Sequence, residues 1–221
     1  MKYRTLCGIL LFSITLLNGC LNYTQITTIK TDSSGKMFIH YWTKLRVSSD
    51  SVNINDLGLF NKELIENQFS SKFNSIENIE VYEDPSDSTI HAKVDLTFEH
   101  FDSLNYSKAF NNAKLSILDG PDDTKIFSQI VPTFITGFGI NSQDFVLTYI
   151  YYLPGEIIKH NATTISRNKL TWQFTIDEIG SGKLITATYR PFRLKETPVW
   201  IYILAGFVII VVLLFIFRKS K

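Results

Sequence analysis

Ile90-His91-Ala92-Lys93-Val94-Asp95-Leu96-Thr97-Phe98-Glu99 alternates an apolar with a polar residue at every step. Successive side chains of a strand point to opposite faces, so a period of two marks a strand with one buried and one solvated face. The same pattern recurs where Leu170, Trp172, Phe174 and Ile176 alternate with Lys169, Thr171, Gln173 and Thr175. Met37, Ile39 and Tyr41 alternate with Phe38, His40 and Trp42, a strand with two substantial faces. Phe145 to Leu153 is apolar or aromatic at nearly every position, which predicts a central strand or one covered on both faces. Lys183 to Arg190 reads as a last strand.

Turn residues join these strands into antiparallel pairs. Asp84-Pro85-Ser86-Asp87 links Ile79–Val81 to Ile90–Phe98, and Asp119-Gly120-Pro121-Asp122 links Leu115–Leu118 to Lys125–Ile130. Gly180-Ser181-Gly182 is expected to pair the Trp172 strand with the last one. Helical signals are few. Asn61 to Ser70 places Leu64, Ile65 and Phe69 on one side with Glu63 in the first turn, and Ser103 to Phe110 reads as a short second helix. The fold class expected is α+β: a mostly antiparallel β-sheet with one or two helices packed on it, plus one C-terminal transmembrane helix.

The two ends carry address signals. Lys2 and Arg4 precede an apolar run from Leu6 to Leu17, too short to span a bilayer, and Gly19 then precedes Cys20. Leu17-Asn18-Gly19-Cys20 resembles the lipobox of bacterial lipoproteins, with Asn18 a less usual residue at its place. That resemblance implies a signal peptide over 1–19 and a diacylglyceryl anchor on Cys20. The other cysteine, Cys7, falls inside the leader, so the mature chain has no disulfide and relies on its core. At the other end, Val199 to Phe217 holds no charge and is followed by Arg218-Lys219-Ser220-Lys221. At 1.5 Å per residue such a run matches a hydrocarbon layer of about 30 Å. Trp200 and Tyr202 suit one interface and the basic tail, 218–221, suits the cytoplasmic side. The expected organisation is an exported domain over 20–197 and a single membrane pass over 198–217. Because a spanning helix inserts effectively irreversibly, the expected location is the cytoplasmic (inner) membrane, with the domain on the outside.

Charge narrows the partners. The 21 Asp and Glu all lie between the two end segments, with all but five of the 22 Lys and Arg, so the domain is net −4. A mildly acidic domain disfavours nucleic acid. Ser48 to Asn55 is its most polar stretch and reads as a loop, and Leu194 to Pro198 is a short linker.

Catalytic and metal signatures are weak. His40, His91, His100 and His160 show no helical metal spacing and no HExxH, and alternation sets Glu99 and His100 on opposite faces. No serine sits in Gly-x-Ser-x-Gly. Gly137-Phe138-Gly139 lacks the strand-then-helix setting of a dinucleotide loop and reads as a flexible turn. No cofactor, no metal and no enzymatic activity are expected. Ile130 to Ile140 is apolar, free of charge and punctuated by Pro132, Gly137 and Gly139. It suits a segment packed across the core, or the wall of an apolar cavity, or a patch touching the bilayer. Phe134, Phe138 and Ile140 from this segment, with Tyr149, Tyr151 and Trp172, are the candidate contacts to an apolar ligand, although aromatic strands also simply fill cores.

Tyr152-Leu153-Pro154-Gly155-Glu156, then Asn161, then Asn168-Lys169-Leu170-Thr171-Trp172 resembles the pattern of the LppM-like lipoprotein domain family. The arrangement of lipobox, exported α+β domain and C-terminal spanning helix is similar too. The resemblance implies a fold akin to lipid-binding folds and a binding role toward membrane lipid, with no ligand residue carried over. Pro154-Gly155 also has a local reason: Pro ends a hydrogen-bonded ladder and Gly permits the turn. The expected function is a noncatalytic, membrane-tethered domain binding lipid or another amphiphile. The alternatives are a protein-interaction module of an envelope complex and, third, an enzyme acting on envelope lipid or glycan.

Overall fold

The computed structural model describes residues 21–44, 58–133, 145–192 and 198–218. The chain divides into two units, Met1–Pro191 and Phe192–Lys221. In the first, the described residues form eleven strands in two sheets, in place of the single sheet expected. The larger has seven strands in the order β3-β4-β2-β1-β7-β10-β9. These are β1 (Leu21–Ile29), β2 (Gly35–Lys44), β3 (Asn74–Asp84), β4 (Thr89–Phe98), β7 (Val146–Tyr152), β9 (Thr164–Ser166) and β10 (Lys169–Thr175). The smaller has four, β5 (Ser116–Asp119), β6 (Lys125–Val131), β8 (Gly155–His160) and β11 (Lys183–Pro191), in the order β5-β6-β11-β8. All neighbours are antiparallel except β1 and β7, which run parallel.

Alternation decides most of these strands. On β4, Ala92, Val94, Leu96 and Phe98 are buried while His91, Lys93, Asp95 and Thr97 are only partly covered. On β10, Leu170, Trp172 and Phe174 are buried. Strand β7 is central, as its composition demands, but it is not equally covered on both sides. Leu147, Tyr149 and Tyr151 are buried, whereas Val146, Thr148, Ile150 and Tyr152 remain partly exposed. The second sheet covers only one face of the first.

Strand β1 carries no clean apolar alternation, because its inward positions include Gln25 and Thr27, both buried, while the apolar Ile26 points outward. It nevertheless lies in the middle of the larger sheet, paired with β2 from Leu21↔Thr43 to Ile29↔Gly35. It begins at the residue after Cys20. Two of the three expected hairpins form, β3 to β4 and β5 to β6. The third does not. After β10 the chain makes one helical turn, α2 (Ile176–Ile179), capped reciprocally by Thr175 and Glu178. Gly180 at φ 54 and Gly182 at φ 125 then turn it away. Ile179 is buried, and β11 emerges in the other sheet between β6 and β8.

The best helical signal becomes α1 (Lys62–Phe69), where the Asn61 side chain accepts from the Leu64 amide at 3.1 Å. Ile65 and Phe69, one turn apart, are its buried contacts, and Leu64 faces outward. The second expected helix is a 3₁₀ segment over Phe101–Tyr106. The Ser103 and Ser107 hydroxyls donate to the carbonyls of His100 and Leu104, three residues back, and such local bonds compete with the α-helical ladder.

In the second unit, α3 (Val199–Arg218) is a 20-residue helix with no acidic residue and no charge before Arg218. Among the described residues no helix is long and apolar enough to cross a membrane. The expectation over 198–217 is thus met as a helix and is not supported as a span.

Candidate functional site

Cys20 and three of the candidate ligand contacts, Phe134, Phe138 and Ile140, lie outside the described residues. The other three come together in the core. Trp172 faces Tyr149 across the β10–β7 pair. Tyr151 meets the Trp172 ring edge-on, with centroids 6.0 Å apart at 80°, and Phe127 of β6 lies 4.5 Å from Tyr151. Tyr151 and Trp172 are fully buried and Tyr149 nearly so. Such contacts add about 0.5–1.5 kcal/mol per pair beyond burial. These rings lie between the sheets, packed against one another.

A polar cluster is threaded through the same layer. Gln25 Nε2 donates to the Tyr151 hydroxyl at 2.8 Å and to Thr27 Oγ1 at 3.2 Å. Tyr23 Oη donates to Gln25 Oε1 at 3.0 Å. The Tyr151 hydroxyl in turn donates to Gln129 Oε1 of the smaller sheet. Burial raises the Tyr23, Tyr149 and Tyr151 hydroxyl pKa values far above the usual range. Among the described residues every buried side-chain nitrogen and oxygen has a partner. A completed network of this kind specifies one packing of two sheets.

The residues of the family-like pattern build a joint between the sheets. Asn161, just past β8, accepts from Trp172 Nε1 at 2.9 Å and from the Thr186 amide at 2.9 Å. Its own Nδ2 donates to the Leu184 carbonyl at 2.8 Å. Asn168 Nδ2 donates to the Leu153 carbonyl at 3.0 Å, and the Leu153 amide returns a bond to the Asn168 carbonyl. At Gly155 a Cβ would lie 2.2 Å from the Arg190 carbonyl oxygen, so only glycine lets β8 meet β11 there.

The opposite face of the larger sheet is where side chains remain available. Register sets Ile150, Ile26 and Phe38 side by side across β7, β1 and β2. Tyr152, Trp42 and Val146 lie on the same face, and all six are partly exposed. Toward β3 the face becomes polar and histidine-bearing. His91 stacks on Tyr82 with centroids 4.8 Å apart at 6°, and Trp42 lies 5.8 Å away. His40 Nε2 is 3.0 Å from His91 Nδ1, while His91 Nε2 is 2.7 Å from Thr89 Oγ1, which donates to Asp87 Oδ1. Burial, then His91 and Lys93, lower the His40 pKa. The connectivity hydroxyl–imidazole–orienting group is that of an activated nucleophile. Thr89, however, is only 1% exposed and spends its proton on Asp87, so it presents no nucleophile to solvent. The sequence did not reveal the His40–His91 contact, because 51 residues separate them. It follows from the β2–β4 register, in which His91 opposes Trp42 and His40 opposes Lys93. Beside this face, an open groove of about 430 Å³ is lined by Phe60, Lys62, Ile79, Glu80, Val81 and Tyr82.

Fold and site together define, among the described residues, a β-rich, two-sheet domain with aromatic rings packed between the sheets and a partly apolar outer sheet face. No family model matches the chain, and no curated protein matches it. Among solved structures it is similar to the NMR structure of the folded domain of the Mycobacterium tuberculosis LppM protein. That similarity has a TM-score of 0.47 and 14% sequence identity, and it covers 80% of this chain and 94% of that one.

Proposed function

We propose that this chain is a noncatalytic, extracytoplasmic domain, tethered to the cytoplasmic membrane through Cys20 and α3, that binds lipid or another amphiphile on a sheet face. The observation that carries the reading is the row Ile150–Ile26–Phe38, flanked by Tyr152 and Trp42, partly exposed on the face of the seven-stranded sheet opposite its buried residues. Apolar side chains half in water there offer a surface for an acyl chain, and Trp and Tyr suit the zone where apolar meets polar. Two features of the ends support the tether. The lipobox-like Leu17-Asn18-Gly19-Cys20 runs straight into β1 without a spacer. The charge-free stretch of α3 has the composition of a spanning helix. Because Tyr151, Trp172 and Phe127 are packed against one another between the sheets, the reading places the expected ligand on the outside of the larger sheet.

A photoactivatable phospholipid in vesicles holding the full chain tests this reading. Crosslinks are expected on β1, β2 and β7 at Ile26, Phe38, Trp42 and Ile150. Crosslinks confined to α3 would remove the lipid-binding role. A second reading, a protein-interaction module, is favoured by the smaller sheet, whose outer side exposes Leu118 and Leu184. Protein crosslinking through that side, with none of the lipid probe on the larger sheet, would select it.

A further inference from the structure

We propose that the β3–β4 turn carries a divalent transition-metal site formed by Asp84, Asp87 and His91, with His40 as the residue that positions the His91 ring. One ligand atom from each of Asp84, Asp87 and His91 lies within 4.8 Å of the others. Nitrogen and oxygen donors with one imidazole suit a first-row ion such as Zn²⁺ better than Ca²⁺ or Mg²⁺, which take oxygen alone.

The imidazole is what lifts this group above a pair of surface acids. Its ring is held flat against Tyr82, and its Nδ1 is met by His40 Nε2 at 3.0 Å from the neighbouring strand. Nε2 therefore points to the side where the carboxylates and the Thr89 hydroxyl lie, 2.7 Å from that hydroxyl oxygen. A ligating histidine almost always engages a partner through its other ring nitrogen, which fixes its tautomer and orientation. Here His40 supplies that partner. With a metal on Nε2, the His91 proton sits on Nδ1 and is donated to His40 Nε2, whose own proton moves to its Nδ1.

The turn is shaped for the same end. The Ser86 amide and hydroxyl donate to Asp84 Oδ1 at 2.9 and 2.6 Å, and Thr89 holds Asp87 Oδ1. Each carboxylate is oriented through Oδ1, with Oδ2 remaining to ligate. The backbone of the site is already in place, because the strands on both sides are paired up to Asp84↔Thr89, and a metal on Nε2 would replace the His91–Thr89 contact.

Calorimetric titration of the chelator-stripped full chain in detergent with ZnCl₂ tests the site. One equivalent of Zn²⁺ is expected to bind saturably, with a rise in the thermal midpoint, and CaCl₂ is expected to give neither. His91→Gln and Asp87→Asn, both at partly or fully exposed positions, are each expected to abolish the one-equivalent binding while circular dichroism stays unchanged. His40→Ala is expected to keep the stoichiometry and weaken affinity about 10–100-fold, the usual cost of removing an orienting partner. Absence of saturable Zn²⁺ binding, or binding of equal affinity in the His91→Gln and Asp87→Asn variants, overturns the proposal.

Discussion

Asn161 shows how much one side chain can settle. Its amide is bonded to the Trp172 indole, the Thr186 amide and the Leu184 carbonyl, so it joins both sheets at once. In Asn161→Ala the Trp172 Nε1–H, on a fully buried ring, loses its acceptor, and an unsatisfied buried donor costs about 1–3 kcal/mol. Denaturant unfolding of Asn161→Ala is therefore expected to show a loss of about 2 kcal/mol. A double-mutant cycle with Trp172→Phe should recover a coupling of about 1 kcal/mol; additive losses would show that the indole bond is not what Asn161 contributes. The sequence pattern that brought Asn161 and Trp172 to notice thus has a structural explanation in this joint. Tyr149, Tyr151 and Trp172 were legible as important aromatics, but not as core or cavity. Only the register, which stacks Phe127 and Gln129 over them, decides between those.

At the scale of elements, strands with an apolar inner row were legible and strands with a polar one were not. Strand β4 could be read from alternation alone. Strand β1 hides because Gln25 and Thr27 turn inward to serve the Tyr151 network. The hairpin expected from Gly180-Ser181-Gly182 failed because turn residues specify a reversal but not the partner of the strand that follows. One capped helical turn before them redirects β11 into the other sheet. Strand β8 depends likewise on a single glycine. In Gly155→Ala the new methyl would press on the Arg190 carbonyl, so β8 must shift from β11. The expected outcome is a destabilisation of about 1–3 kcal/mol, with amide exchange accelerated first in β8 and the Pro191 end of β11. Uniformly accelerated exchange would contradict that local origin.

At the scale of the whole molecule, composition and end segments spoke to the address, and the packing of the domain speaks to the mode of binding. Among the described residues the buried polar atoms are satisfied and the aromatic rings between the sheets touch one another, packing that is poorly suited to admit an acyl chain. The outer face of the larger sheet keeps Ile26, Phe38 and Ile150 partly in water. Its apolar row was not legible beforehand, since it assembles from three strands distant in sequence and depends on β1, the strand with the weakest pattern. The proposed arrangement is therefore a lipid held on the outer sheet face of a domain whose chain is anchored in the same membrane. Native mass spectrometry of the full chain released from membranes into detergent tests this most directly. The predicted spectrum shows a polypeptide beginning at Cys20 with a diacylglyceryl mass added, together with a noncovalent lipid adduct that diminishes in Phe38→Asp. An unmodified chain with no lipid adduct, or an adduct unchanged by Phe38→Asp, would contradict it.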